Sequence, residues 1–144
     1  MFSKACEYGI KATIFIAIKS YEGVRVSPKE IAKEIDSPEA FTAKILQALV
    51  RHDVISSLKG AYGGFEIAKD RIPLVKLADI VNAIDGDAIY NGCGLGLHKC
   101  SETHPCPVHD KFKAIREGLK DMLERTSLEE LALDIKSGAS FLKV

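Results

Sequence analysis

Two helix starts in close succession, followed by a glycine-rich reversal, constrain this chain more than any other feature. Ser27-Pro28 opens the first helix, and Glu30 completes a Ser-x-x-Glu capping box. Ile31, Ala32 and Ile35 supply its inner face. Asp36-Ser37-Pro38 breaks that run, and Ser37 with Pro38 forms a second cap-and-proline pair. The spacing predicts a helix from Pro38 to about His52, with Phe41, Ile45, Leu46, Leu49 and Val50 facing inward. Val54–Leu58 is strand-like, Lys59-Gly-Ala-Tyr62-Gly-Gly64 is a tight connection, and Phe65–Ala68 alternates as a returning strand. Helix, short turn, helix and hairpin is the order of a winged helix-turn-helix, whose second helix enters the major groove of DNA. The fold class expected is mostly α with a small β-hairpin wing, plus a long dimerisation helix.

The flanking segments complete that architecture. Residues 3–20 read as a helix that is apolar on more than one side, through Tyr8, Ile10, Ala12, Ile14, Phe15, Ala17 and Ile18. A further helix is expected over 75–84 on Leu77, Ile80, Val81 and Ile84. Residues 86–107 read as irregular. A long helix is expected over 108–125, striped by Val108, Phe112, Ile115, Leu119, Met122 and Leu123. This stripe is more apolar than a lone surface helix needs, so it reads as a dimerisation element. Ser127 and Glu130 frame another capping box, and 136–144 read as loose. The expected division is 1–85 for DNA binding, 86–107 for a cysteine-rich loop, and 108–144 for dimerisation and tail.

Charge narrows the partners. The 20 Lys/Arg and 20 Asp/Glu balance overall. Residues 1–76 nevertheless carry 12 basic against 9 acidic groups, and the remainder carries 8 against 11. The basic half is the one suited to an anionic partner. No apolar run approaches the ~18–20 residues of a membrane span. Glu7 and Lys11 interrupt the apolar N-terminus, so neither a signal peptide nor a membrane partner is expected. The chain is expected to be cytoplasmic. At the DNA surface the candidates are Ser37, Glu39, Ala40, Phe41, Thr42 and Lys44 on the second helix, with Lys59 and Tyr62 on the wing. Thr42 is expected to reach a base edge or phosphate, Lys44 a phosphate or a guanine, and Lys59 a phosphate or the minor groove. No phosphate loop, zinc-protease motif or nucleophile elbow is present, so the chain is not expected to be an enzyme.

The second informative region is Cys93-Gly-Leu-Gly-Leu-His98-Lys-Cys100-Ser-Glu-Thr-His104-Pro-Cys106-Pro-Val-His109. Three of the four cysteines and three of the four histidines fall there. A disulfide framework does not suit a cytoplasmic chain, and three thiols cannot all pair. Structural zinc usually takes Cys pairs two to four residues apart. The gaps here are longer, as loops that wrap an iron–sulfur cluster can be. A soft metal site, an iron–sulfur cluster and cofactor-free thiol redox sensing all remain readings of these residues. Cys6, on the first helix, reads as a small buried residue.

Taken with EYGIKATIFIA, SPKEIAKEIDSPEAFTAKILQAL, KGAYGGFEIAKD and VKLADIVNAIDG, the cysteine loop makes nearly the whole chain resemble the Rrf-two family of bacterial transcription regulators. The resemblance implies a homodimeric winged-helix protein that binds double-stranded promoter DNA, its long helix crossing to the partner subunit. It also implies an iron–sulfur cluster, 2Fe–2S favoured and 4Fe–4S the alternative, with Cys93, Cys100 and Cys106 as ligands. Two positions match the family's variable fourth ligand. His109, three residues after the last cysteine, is favoured over Glu7, which would come from the first helix of the other subunit. The chain departs from common family patterns in three places. Lys-Gly-Ala-Tyr-Gly-Gly replaces Arg-Gly-Pro-Gly-Gly in the wing, small Ala40 and Ala43 stand on the reading helix, and one extra residue separates Cys93 from Cys100.

Overall fold

The computed structural model describes residues 1–143; Val144, the end of the stretch read as loose, lies outside the described residues. Helix α1 (Lys4–Tyr21) starts at Ser3, whose side chain accepts from the Cys6 amide. Its Cys6, Ala12, Ile14, Ile16 and Ala17 are buried, as the broad apolar face requires. Helix α2 (Pro28–Glu34) carries the capping box read from Ser27 and Glu30. Asp36, at φ 54°, makes the turn into α3 (Glu39–Arg51); a short polar side chain tolerates that left-handed backbone.

The second helix start differs from expectation. Pro38 is the residue before the helix, with no side-chain cap, so the helix opens at Glu39. The Ser37 hydroxyl is turned toward the Thr42 hydroxyl instead of toward a backbone amide. Ile45, Leu46 and Leu49 enter the core, with Phe41 and Val50 packed at its edge.

The wing is shorter than expected: β1 (Ser56–Leu58) pairs antiparallel with β2 (Gly64–Glu66), with Ser57 opposite Phe65. Val54 and Ile55 leave strand pairing because they are buried as the link from α3. Val26 bridges Phe65 from the other side, accepting its amide at 2.8 Å and donating at 3.2 Å. Gly64 sits at φ +140°, where a Cβ would stand 2.8 Å from the Val26 carbonyl oxygen.

Helix α4 (Leu77–Ile84) is buried through Leu77, Ile80 and Val81 and packs on α1 and α3. The segment expected to be irregular contains a single turn of helix, α5 (Ala88–Asn91). Helix α6 (His109–Arg125) begins one residue later than expected, because Val108 is its N-terminal flank. Helix α7 (Leu128–Ser137) has the Ser127–Glu130 capping box and ends at Gly138. Lys136 and Ser137 are thus helical where a loose tail was expected.

The far end of α6 is clamped to the start of α4 and the residues before it. The Leu77 amide donates to the Thr126 carbonyl at 2.9 Å, and the Leu128 amide donates to the Val75 carbonyl at 2.8 Å. Leu123 and Leu128 are fully buried, and α7 packs against α1. Truncating Leu123 to Ala would cost about 2–5 kcal/mol. Among the described residues no helix is long and apolar enough to cross a membrane.

Candidate nucleic-acid interface and cysteine site

Helix α3 presents Glu39, Ala40, Lys44, Gln47 and Arg51 to solvent, with Phe41 and Ala43 half-buried. Ala40, Lys44, Gln47 and Arg51 follow helical spacing and share one exposed face. Thr42 is not on it. It is fully buried, and its hydroxyl donates to the Pro38 carbonyl at 2.9 Å. The expectation that Thr42 reaches DNA is therefore corrected: the hydroxyl closes the first turn of the helix, which has no side-chain cap. Ser37 is half-buried beside it and belongs to the same turn. Gln47 was missed as a surface candidate, although its spacing from Lys44 and Arg51 could have found it.

On the wing, Lys59 and Tyr62 are exposed, Tyr62 at 91%. An apolar phenol ring left in water at a loop tip makes no intramolecular packing. Arg25 and Glu66 form an ion pair at 3.1 Å beside the wing. Lys44 has no ion-pair partner among the described residues, which leaves its charge available to an anion.

The cysteine loop spans the gap between α5 and α6 and is ordered from both sides. Gly94 lies against the ring of Phe112 on α6; a Cβ there would stand 2.6 Å from Phe112 Cγ. The Gly96 amide donates to the Cys93 carbonyl at 3.0 Å, closing a turn. The Leu95 amide donates to Cys93 Sγ at 3.4 Å. Backbone donation from Leu95 and Leu97 holds the Cys93 thiol below its ordinary range, with smaller contributions from neighbouring Cys106 and Arg116. The same amide donation would stabilise a thiolate at Cys93, the form that binds metals and reacts with oxidants.

Cys100 and His109 meet at the start of α6. Cys100 Sγ lies 3.3 Å from His109 Nδ1, and His109 is buried at 7% exposure. The His109 amide donates to the Cys106 carbonyl at 3.0 Å, which sets the last cysteine beside the helix start. Arg116 enters from about two turns further along the same face. Its Nη2 donates to Cys100 Sγ at 3.1 Å and its Nη1 donates to the Gly92 carbonyl. Tyr90, Asn91, Cys100, His109 and Arg116 help line a cleft of about 250 Å³.

Of the ligands implied by resemblance, Cys100 and His109 are in contact, the Cys106 carbonyl accepts from the His109 amide, and Cys93 Sγ accepts from the Leu95 amide on the earlier part of the loop. Among the described residues no group of three or more His, Cys, Asp or Glu is arranged around one ion position. Glu7 stands apart: it pairs with Lys4 at 3.3 Å on α1 and does not line the cleft. His98 and His104 are exposed. Arg116 was missed from the sequence, although it lies seven residues after His109 and so on the same helical face.

Cys6 has the opposite environment. It is fully buried, and burial together with the carboxylates of Asp85 and Glu7 pushes its thiol up to about 12. It is a core residue, as its position predicts.

Comparison with known proteins agrees over nearly the whole chain. Residues 2–134 match the family model described as "Rrf2: Iron-dependent Transcriptional regulator". An HTH-type transcriptional regulator of Aquifex aeolicus is 34% identical over 134 residues, covering 91% of this chain and 90% of that protein. The solved structure of CymR, the global cysteine regulator of Bacillus subtilis, superposes with a TM-score of 0.75 at 25% identity, covering 92% of this chain and 96% of that one. The structure of IscR from T. potens superposes at 0.73 with 18% identity, covering 98% and 92%, and shares the fold. These similar proteins are regulators and not enzymes. With its winged helix-turn-helix, its cysteine loop and a family match from residue 2 to residue 134, the chain belongs to the Rrf2 family of transcriptional regulators.

Proposed function

We propose that the protein is a homodimeric DNA-binding regulator that senses iron–sulfur, redox or nitric oxide status through an iron–sulfur cluster. Cys93, Cys100, Cys106 and His109 would hold the cluster. The observation that carries this reading is the meeting of Cys100, His109 and Arg116 at the start of α6, on the loop that also bears Cys93 and Cys106. The donor set fits. Three thiols and the His109 imidazole on one loop and the helix start that follows it are a soft sulfur and nitrogen donor set of the kind that holds iron. The buried Arg116 Nε, which has no hydrogen-bond partner, adds a donor for an anionic group. On the family resemblance, 2Fe–2S is the favoured cluster, with 4Fe–4S the alternative, and His109 is favoured over Glu7 as the fourth ligand. When bound, such a cluster supplies a one-electron couple and a group labile to oxidants.

The chain's own residues give this site a route to DNA. The loop packs on Phe112 and is tied to α6 by Arg116. The other end of α6 is fixed to α4 through Thr126 and Leu128, and α4 packs on α3. Ordering or release of the loop would shift the balance between placements of α6, and with it the spacing of two reading helices in a dimer. Phe112, Ile115 and Met122 remain exposed on α6 and form the apolar face that a second copy would cover. Lys44 and Lys59 would contact phosphates, while Glu39, Ala40 and Phe41 would lie near the groove, with Tyr62 at the wing tip.

Anaerobic purification, with iron and sulfide counted per subunit and the visible spectrum recorded, tests this reading. Stoichiometric iron and sulfide with charge-transfer bands are expected. Their absence after reconstitution would overturn the cluster. A second reading, a cluster-free regulator acting through thiol oxidation or a protein partner, is favoured by the likeness to the cysteine regulator CymR. Iron-free protein that still binds promoter DNA would support that second reading.

A further inference from the structure

We propose that Arg116 is a positioning residue of the cysteine site. It ties the loop to α6 through two N–H groups, and its third, the unpartnered Nε–H, would donate to a sulfur of a bound cluster. This rests on the cluster reading above and assigns the site a residue outside its ligand set.

The guanidinium is used on two sides only. Nη1 donates to the Gly92 carbonyl, at the start of the loop, and Nη2 donates to Cys100 Sγ at 3.1 Å, near its middle. Nε is buried and has no hydrogen-bond partner among the described residues. Burying a donor of a charged group without an acceptor is costly, so its persistence marks a place where an acceptor belongs. No carboxylate takes that role. Glu102, which lines the same cleft, is engaged by Lys113, and no acidic side chain among the described residues forms an ion pair with Arg116. The remaining neighbours of that cleft include the cysteine and histidine ends of the proposed ligand set.

Arginine has the geometry for this task. Its planar fork fixes three donor directions at once and cannot lose its charge. Lysine offers a point charge on a flexible stem and cannot bridge Gly92 and Cys100 while facing a third acceptor. A donor aimed at cluster sulfur withdraws electron density and stabilises the reduced, more negative state, so it raises the reduction potential. The tether acts before any cluster is present, because Gly92 and Cys100 are held by the protein alone.

The test compares wild type with Arg116→Met and Arg116→Lys. In the metal-free proteins, amide exchange across residues 92–100 is expected to accelerate in Arg116→Met, with the amides of α1 and α4 unchanged. After anaerobic reconstitution, the midpoint potential is expected to shift negative in Arg116→Met and by less in Arg116→Lys. A purely structural residue would move the exchange without moving the potential, which would overturn the donor role of Nε. Unchanged exchange and unchanged potential would overturn the proposal entirely, with the cluster reading intact. Should Arg116→Met fail to assemble, Arg116→Lys supplies the potential and an unshifted value overturns the donor role. A wild type that assembles no cluster overturns the cluster reading and the Nε donor role with it.

Discussion

Gly94 lies so close to Phe112 that any side chain at position 94 must displace either the loop or the ring: the nearest ring carbon would be 2.6 Å from an added Cβ. Phe112 itself is 39% exposed, so the ring is held on one side by the loop and open on the other. The loop that carries three thiols is thereby seated on the same helix that carries His109.

Gly94→Val should therefore unseat the loop without unfolding the body. The loop is at the surface and can move, so the stability cost should stay within about 1 kcal/mol, below the ~1–3 kcal/mol of an overpacked core. Iron and sulfide content after reconstitution should fall, while the thermal midpoint stays close to wild type. A large fall in the midpoint with full iron content would show that the packing of Gly94 on Phe112 serves the core instead.

The two threonine and lysine positions on α3 should separate stability from DNA affinity. Thr42→Val removes the hydroxyl that closes the first turn and should cost about 1 kcal/mol of stability. Lys44→Ala should leave stability within about 0.5 kcal/mol of wild type. It should weaken duplex binding and reduce the slope of log affinity against log salt by about 1 for each phosphate left without its cation. Lys59→Ala should behave like Lys44→Ala. Salt-dependent binding titrations beside denaturant melts measure both effects.

Much of this arrangement was legible in the sequence because it rests on local chemistry. Capping boxes at Ser27 and Ser127 and the apolar spacing of α3 and α4 are set by neighbours a few residues away. The Ser37-Pro38 start is misleading because the Ser37 hydroxyl meets the Thr42 hydroxyl instead of a backbone amide. Thr42 looked polar and hence exposed, yet its hydroxyl is satisfied inside the helix, so burial costs little. The cysteines announced a site by clustering. Arg116 did not, because its hydrogen bonds to Gly92 and Cys100 bridge 24 and 16 residues of chain.

The exposed apolar face of α6 should govern oligomeric state. Ile115 is 63% exposed and Met122 44%, at positions a helical turn or two apart on that face. Ile115→Glu would place a charge in a desolvated interface and should convert a dimer to a monomer with unchanged helical content. Loss of the second half-site should weaken promoter binding at least about tenfold, equivalent to about 1.4 kcal/mol. Sedimentation velocity reads the first effect; a dimer that survives the substitution would place the interface elsewhere.

Cys6 should make the fold sensitive to alkali. Its thiol is pushed from an ordinary 9.0 up to about 12, first by burial and then by Asp85. Below pH 9 it is neutral in both folded and unfolded chains, so its contribution to stability is constant and fully present. Between 9 and 12 only the unfolded chain ionises, and that state gains stability. Folding free energy should then fall by up to about 1.4 kcal/mol per pH unit across that window. The Cys6→Ala variant should lose this alkaline decline, whatever its stability at neutral pH. The same burial predicts an order of reaction with iodoacetamide near pH 8 in metal-free protein: Cys93 first, and Cys6 only on unfolding. Native protein labelled at Cys6 as fast as at Cys93 would contradict the buried placement of α1 on which the order depends.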